Sequence, residues 1–204
     1  MIAIIDCEIG NLRSVQKAFE AIGKEARITD SIQTIEGAQA VVLPGVGAFK
    51  DAIDSIRQKG LDKAIMNIID SGTPFLGICI GLQLYATESD EGGKQTGLDI
   101  IKGRVVRLPD IVKVPEMGWN RLNVRKDCPI FKDIPETAYF YFAHSFYIVP
   151  EETDVIAATT DYGLEYVSAV WKDNIYGVQF HPEKSGKWGL KMLENFTGLA
   201  ESRD

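Results

Sequence analysis

Cys79 lies in the stretch F-L-G-I-C-I-G-L-Q-L-Y-A (75–86), flanked at two residues' distance by Gly77 and Gly81. An apolar run precedes it and a helix-like run follows. G-x-C-x-G at a strand-to-helix joint has the form of a nucleophile elbow. A sharp turn there strains the nucleophile's backbone, and a Cβ two residues away on either side would collide with its neighbours. The turn is expected to lift the sulfur clear of the sheet and set it at a helix N-terminus, where the dipole favours thiolate over thiol. The Ile80 amide would then point to the place where a substrate oxyanion forms. The competing reading is a buried structural cysteine whose glycines serve only helix–sheet packing; placement between strand and helix favours the nucleophile.

A thiol nucleophile needs a base within hydrogen-bond reach, and the base needs an orienting group. The chain has two histidines. V-Q-F-H-P-E-K-S (178–185) places His181 at the end of an apolar strand with Glu183 two residues on. Positions i and i+2 of an extended chain face one side, so Glu183 can bond one ring nitrogen while the other points at sulfur. Pro182 stiffens the pair and keeps it out of helix. His144, in Y-F-A-H-S-F (141–146), leaves two readings open: a packed, hydrogen-bonded histidine or one that lines the site. Cys7 and Cys128 read as inert, and the cysteine and histidine spacings form no zinc site. The chemistry implied calls for no metal and no cofactor.

The elements around these residues follow a β-α-β-α rhythm. Ile2–Ile5 is a short, wholly apolar run, as a buried parallel strand would be. Asn11 can cap a helix with Leu12, Val15, Phe19 and Ile22 on one face, ended by Gly23. Ala26–Thr29 and Ala40–Leu43 read as strands, the second stopped by P-G-V-G. Helical stretches follow around Ala52, Ile53 and Ile56 and from Leu61 to Gly72. Phe75–Ile78 is then a strand and Gly81–Ala86 a helix. The later half reads as strands at Val105–Leu108, Leu122–Val124, Ala138–Ile148, Val155–Thr160, Tyr166–Trp171 and Ile175–Phe180. Ser185 caps a last helix carrying Leu190, Leu193 and Phe196. Thr87–Gly97 reads as one long polar loop. The expected class is α/β: a mostly parallel central sheet, helices on both faces, and additional antiparallel strands in the C-terminal half. Ligands of such sheets sit beyond the carboxyl ends of the strands. Asp6, P-G-V-G and Cys79 all fall at such ends.

The 204 residues fit one domain spanning 1–204, which can bury roughly 70% of its unfolded surface without staples. The net charge of −7 argues against a nucleic-acid or anionic-membrane partner. The three cysteines are widely spaced, so no disulfide framework is expected and a reducing cytoplasm is the simplest setting. M-I-A-I-I-D meets Asp6 too soon for an export or spanning segment.

G-I-C-I-G (77–81) with F-H-P-E (180–183) resembles the class I (triad-type) glutamine amidotransferases, enzymes with a flavodoxin-like domain that hydrolyse glutamine to glutamate and ammonia. P-G-V-G-A-F (44–49), M-G-W-N (117–120), I-I-D (4–6), G-N-L-R-S-V (10–15) and F-H-P-E-K-S (180–185) are similar, within that group, to the glutaminase subunits of imidazole glycerol phosphate synthase in histidine biosynthesis. The resemblance implies Cys79 as nucleophile, His181 as base and Glu183 as its orienter. It implies backbone contacts to the glutamine carbonyl from Gly45, Val46, Gly47 and Ile80, and substrate contacts from Gln83, Glu91, His144 and Ser145. Asn11, Trp119, Asn120 and Lys184 would face a partner, a (β/α)8-barrel cyclase subunit that receives the ammonia. Other amidotransferases, γ-glutamyl hydrolases and a silent regulatory homologue are the alternatives. The chain departs from the pattern at Cys7-Glu8, where Tyr-Gly is common, and at Glu116, where histidine or glutamine is frequent. H-S-F and Leu82 are smaller departures.

Overall fold

In the computed structural model, which describes residues 1–8 and 10–201, five strands run parallel through the middle of the molecule. Their spatial order is Ala26–Thr29, Ile2–Ile5, Ala40–Gly45, Phe75–Cys79 and Ile175–Val178. Glu165–Lys172, Ile156–Asp161 and Asn123–Val124 extend the sheet in antiparallel fashion to eight strands. Every residue of Ile2–Ile5, Ala40–Gly45, Phe75–Cys79 and Ile175–Val178 is buried, so both faces of these strands are covered. The covering helices form two groups. Leu12–Ala21 packs with Gly186–Glu201, while Phe49–Gln58 and Ile32–Glu36 both pack on Leu61–Asp70. One apolar cluster takes side chains from both halves of the chain, including Phe19, Phe49, Phe75, Phe142, Phe180 and Phe196.

The expected elements of the first half are present, with instructive differences. The strand from Ala40 does not stop at Leu43 but continues through Pro44 and Gly45, because Pro44 pairs with Ile78 and Gly45 with Cys79. A five-residue helix, Ile32–Glu36, had no periodic signal to announce it and starts where the Ser31 hydroxyl accepts from the Thr34 amide. The helix after Cys79 covers only Ile80–Gln83, a single turn.

The later half departs further. The aromatic run from Ala138 to Ile148 is two strands in two sheets, broken at Ser145. Tyr139–His144 pairs with Glu116–Arg121, and Phe146–Pro150 pairs with Gly103–Arg107. M-G-W-N is thus part of a strand. The polar loop at 87–97 holds a small hairpin, with Glu88–Ser89 against Gln95–Thr96. Ser185 precedes the last helix, but its hydroxyl donates to the His181 carbonyl (2.6 Å) and accepts from the Tyr141 amide (3.0 Å), tying His181 to its neighbouring strand instead of capping.

The glycines around Cys79 are required by contact. A Cβ on Gly81 would lie 1.7 Å from the Leu43 carbonyl oxygen, and one on Gly77 would lie 2.7 Å from the Tyr85 ring. The Leu43 oxygen belongs to a central strand and has no room to retreat. Gly81→Ala is therefore expected to cost about 3 kcal/mol of folding stability, read as a lower urea midpoint at unchanged slope.

Candidate active site

The register of two strands assembles the chemistry. Ile175–Val178 lies parallel beside Phe75–Cys79 with Val178 opposite Ile78, so the next residues along, Gln179 and Cys79, are neighbours. His181 follows two residues later. Cys79 itself takes φ 56° and ψ −109°, a conformation that a side chain seldom adopts. The sulfur-bearing residue is 3% exposed and borders a cavity of about 300 Å³ at the carboxyl edge of the sheet. The elbow expected from the glycines is there, and the same glycines make the packing; the two readings of G-x-C-x-G describe one structure.

His181 is 2% exposed. Its Nδ1 lies 2.9 Å from Glu183 Oε1. The pairing does not come from alternate positions of an extended strand, because Pro182–Lys184 forms a 3-10 turn that folds Glu183 back onto the ring. Burial works against a charge on His181. Hydrogen bonds to Cys79 and Glu183, and the charges of the two, outweigh burial and push its pKa up to about 9. With the following helix only one turn long, the positive partner for a Cys79 thiolate is this imidazolium, and the helix dipole adds little.

Eight of the expected substrate-side and nucleophile positions border the cavity: Val46, Gly47, Cys79, Ile80, Gln83, Glu91, His144 and Ser145. Gly45 does not; it is buried in the strand beside Cys79, where a Cβ would meet Ile80 Cβ at 2.8 Å. Gly47, with φ 105°, lets the loop after Gly45 turn along the cavity. Glu91 accepts from the Phe49 amide at 2.8 Å, and its pKa is raised, chiefly by burial. The Gln83 amide nitrogen is already bonded inward, to the Phe146 carbonyl (2.8 Å) and Gln179 Oε1 (3.1 Å).

His144 is both of the things the sequence left open, packed and site-lining. Its Nδ1 lies 2.9 Å from the Phe146 carbonyl, and its Nε2 lies 3.1 Å from the Tyr166 hydroxyl and 3.3 Å from Glu116 Oε2. Tyr166 donates to Glu116 Oε2 at 2.8 Å, and Asn120 donates to Oε1 at 3.1 Å. Glu116, noted from sequence only as a departure, is thus the buried anchor of this wall. Asn120 also donates to the Asp161 carbonyl and is tied inward. Trp119 is 56% exposed and meets Tyr141 edge-on, while Lys184 Nζ sits 5.8 Å from the same Tyr141 ring. Asn11 is exposed and caps Leu12–Ala21. Among the described residues, no group of acidic, cysteine or histidine side chains could hold a metal, and no helix is long and apolar enough to cross a membrane.

Sequence reasoning passed over Gln179, which is fully buried and donates to Cys79 Sγ at 3.6 Å. A signal was present: Gln179 and His181 are the two polar residues of an otherwise apolar run and share its alternation.

The family model for "Glutamine amidotransferase class-I" matches residues 3–198. The chain belongs to the class-I glutamine amidotransferase family. Among curated amidotransferases it is similar to the imidazole glycerol phosphate synthase subunit HisH of Syntrophotalea carbinolica, 50% identical over 96% of this chain and 98% of that one. The subunit of the same name from Moorella thermoacetica is also 50% identical, over 97% and 94% of the two chains. Among solved structures, PurLQS from Thermotoga maritima superposes with a TM-score of 0.78 over 97% of each chain, at 18% identity, a likeness of fold alone. The flavodoxin-like amidotransferase fold, with its mostly parallel sheet, is the one expected.

In this amidotransferase, His181's raised pKa has a definite sign. The group contributes stability that is complete below the ordinary histidine value of 6.5 and is lost as pH rises through about 9. If His181 is the acid that protonates departing ammonia, glutamine hydrolysis should fall along the same alkaline limb. Glu183→Gln removes a supporting charge, so the limb should move about one unit to lower pH. Glutamate release across pH 6–10 (roughly the range that brackets the limb) measures it; an unmoved limb would rule out Glu183 as the group that holds the imidazolium.

Proposed function

We propose that this chain is the glutaminase subunit of an imidazole glycerol phosphate synthase and that Cys79, His181 and Glu183 are its triad. The observation that carries the activity is the Cys79 residue bordering the cavity, coupled to a buried His181 that Glu183 holds at 2.9 Å. The acceptor follows from the 50% identity to two synthase subunits over nearly the whole of each chain.

The Cys79 thiolate attacks the carboxamide carbon of glutamine, and the C=O electron pair moves onto oxygen. Backbone N–H groups at Ile80 and the Val46–Gly47 loop receive that oxyanion, an interaction worth on the order of 10²–10³ in rate per donor. The C–N bond breaks as His181 gives its proton to the leaving nitrogen, releasing ammonia and leaving a γ-glutamyl thioester. His181, now neutral, takes a proton from water as the water oxygen attacks the thioester. The C–S bond breaks, glutamate departs, and the thiolate–imidazolium pair is restored. Glu91, half-buried at the cavity rim, pairs with the substrate ammonium. Gln83, His144 and Ser145 complete the substrate wall.

Ammonia must stay unprotonated on its way to the acceptor, which calls for a partner sealed against the carboxyl edge of the sheet. Trp119, Lys184 and Asn11, with Met117 at 67% exposure, form that docking face. The partner is a (β/α)8-barrel cyclase, which uses ammonia to form imidazole glycerol phosphate and aminoimidazole carboxamide ribotide. Three buried cysteines, none of them in a disulfide, suit a reducing cytoplasm.

Cys79→Ala should abolish glutamine-dependent synthesis by the complex while added ammonium still supports it. Wild-type Cys79 should be trapped by a glutamine-like electrophile such as diazo-oxo-norleucine, and a silent homologue would stay unlabelled. Only the histidine-pathway cyclase should raise glutamine turnover; stimulation by a different acceptor synthase would reassign the partner.

A further inference from the structure

One hydrogen bond between side-chain amides, together with one to a backbone carbonyl, fixes which end of Gln179 meets the nucleophile. The Phe146 carbonyl can only accept, so the Gln83 atom 2.8 Å from it is the NH2 group. The second hydrogen of that NH2 is spent 3.1 Å away on Gln179, which therefore presents its oxygen to Gln83. The Gln179 nitrogen is left facing Cys79 Sγ at 3.6 Å. Nothing in this chain of donors can flip without opposing two hydrogens or two lone pairs. The Phe146 carbonyl is itself held by a second donor, His144 Nδ1, whose ring is locked from behind by Tyr166 and Glu116. The Gln179 backbone is pinned as well, its amide donating to the Ser168 carbonyl.

We propose that Gln179 is a catalytic residue: its side-chain N–H donates to the Cys79 sulfur, holding the thiolate in place before attack and receiving it again when the thioester breaks. The neighbours set the aim of this amide, and toward a neutral thiol, a weak acceptor, the bond it makes would be slight. A sulfur anion is a strong acceptor, and a charge-assisted bond to it is about twice as strong as a neutral one. The bond matters only while sulfur carries charge. It weakens in the neutral thioester and reforms as the C–S bond breaks, so it favours both the resting thiolate and the expulsion of glutamate. Fixed orientation also limits where the sulfur can sit, which substrate binding alone would not supply. The inference rests on Cys79 being the nucleophile.

Gln179→Met keeps the length and removes the donor. In the full chain, alkylation of Cys79 by iodoacetamide, located by peptide mass, should set in about one pH unit higher than in wild type. Glutamate release near neutral pH should fall about tenfold, with KM for glutamine little changed. A variant with wild-type circular dichroism and a cooperative melt, but an unmoved alkylation profile, overturns the proposal. A second measurement needs no change at Gln179. In the chain labelled with 15N-glutamine, the Gln179 side-chain amide resonance should move with the same midpoint as Cys79 alkylation, and that movement should vanish in Cys79→Ala. A resonance that ignores the thiol's titration overturns the proposal even where the methionine variant fails to fold. Wild-type Cys79 that resists the glutamine-like electrophile would instead sink the nucleophile assignment, with both alkylation profiles still comparable.

Discussion

Everything at this site depends on a backbone that Cys79 would not choose for itself. A non-glycine residue at φ 56° and ψ −109° persists only where its surroundings over-determine it. Here the surroundings are two strands and a one-turn helix packed so tightly that the positions two residues away on either side cannot carry a Cβ. Gly81 meets the Leu43 carbonyl and Gly77 meets Tyr85, whose hydroxyl is in turn bonded to the Tyr176 carbonyl. The strain at one residue is thus borne by the central strands Ala40–Gly45, Phe75–Cys79 and Ile175–Val178 together. Those are among the best-buried strands of the molecule, which is where a fixed nucleophile has to be anchored if it is to keep its position.

Electrostatics follow from the same anchoring. A cation on His181 is buried almost completely, and burial alone would strip its proton. The pKa stays up because two partners hold the ring, Cys79 from the adjacent strand and Glu183 from the turn that follows. Neither partner would suffice by position in the sequence. Cys79 is near only because Val178 sits opposite Ile78, and Glu183 is near only because Pro182–Lys184 coils into a 3-10 turn. In the proposed reaction the pair would serve both halves: charged imidazole for releasing ammonia, neutral imidazole for activating water.

What could be read from the sequence was what is local. The G-x-C-x-G elbow, the apolar parallel strands and the His181–Glu183 spacing each show as a short local pattern, although Gly81 answers to the distant Leu43 carbonyl and Glu183 reaches the ring through a 3-10 turn. The elements that escaped lack such a period. Ile32–Glu36 is one short turn of helix, Glu88–Ser89 and Gln95–Thr96 are two-residue strands made of polar side chains, and Glu116–Arg121 alternates burial around an exposed tryptophan. The break at Ser145 is a change of sheet, which no propensity records. Gln179 was missed for a different reason. Its partner, Cys79, is 100 residues away, and the orientation of its amide is decided by Gln83 and a carbonyl at Phe146.

The same logic explains why Glu116 does not disturb the site although it breaks the family pattern. A carboxylate in that buried place would be costly alone, but Tyr166, Asn120 and His144 surround it. The strand that carries it, Glu116–Arg121, also carries Trp119 on its outer side and lies against Tyr139–His144. Tyr141, opposite Trp119 in that ladder, accepts from the His181 amide through its carbonyl and donates to Ser185 through its own N–H. Ser185 closes the loop by donating to the His181 carbonyl. The exposed face of Trp119 and Lys184 and the backbone of His181 are therefore two sides of one hydrogen-bonded ladder. Trp119 and Lys184 both lie against the Tyr141 ring, and the Tyr141 backbone is bonded to His181, so the outer face and the His181 backbone share one strand residue.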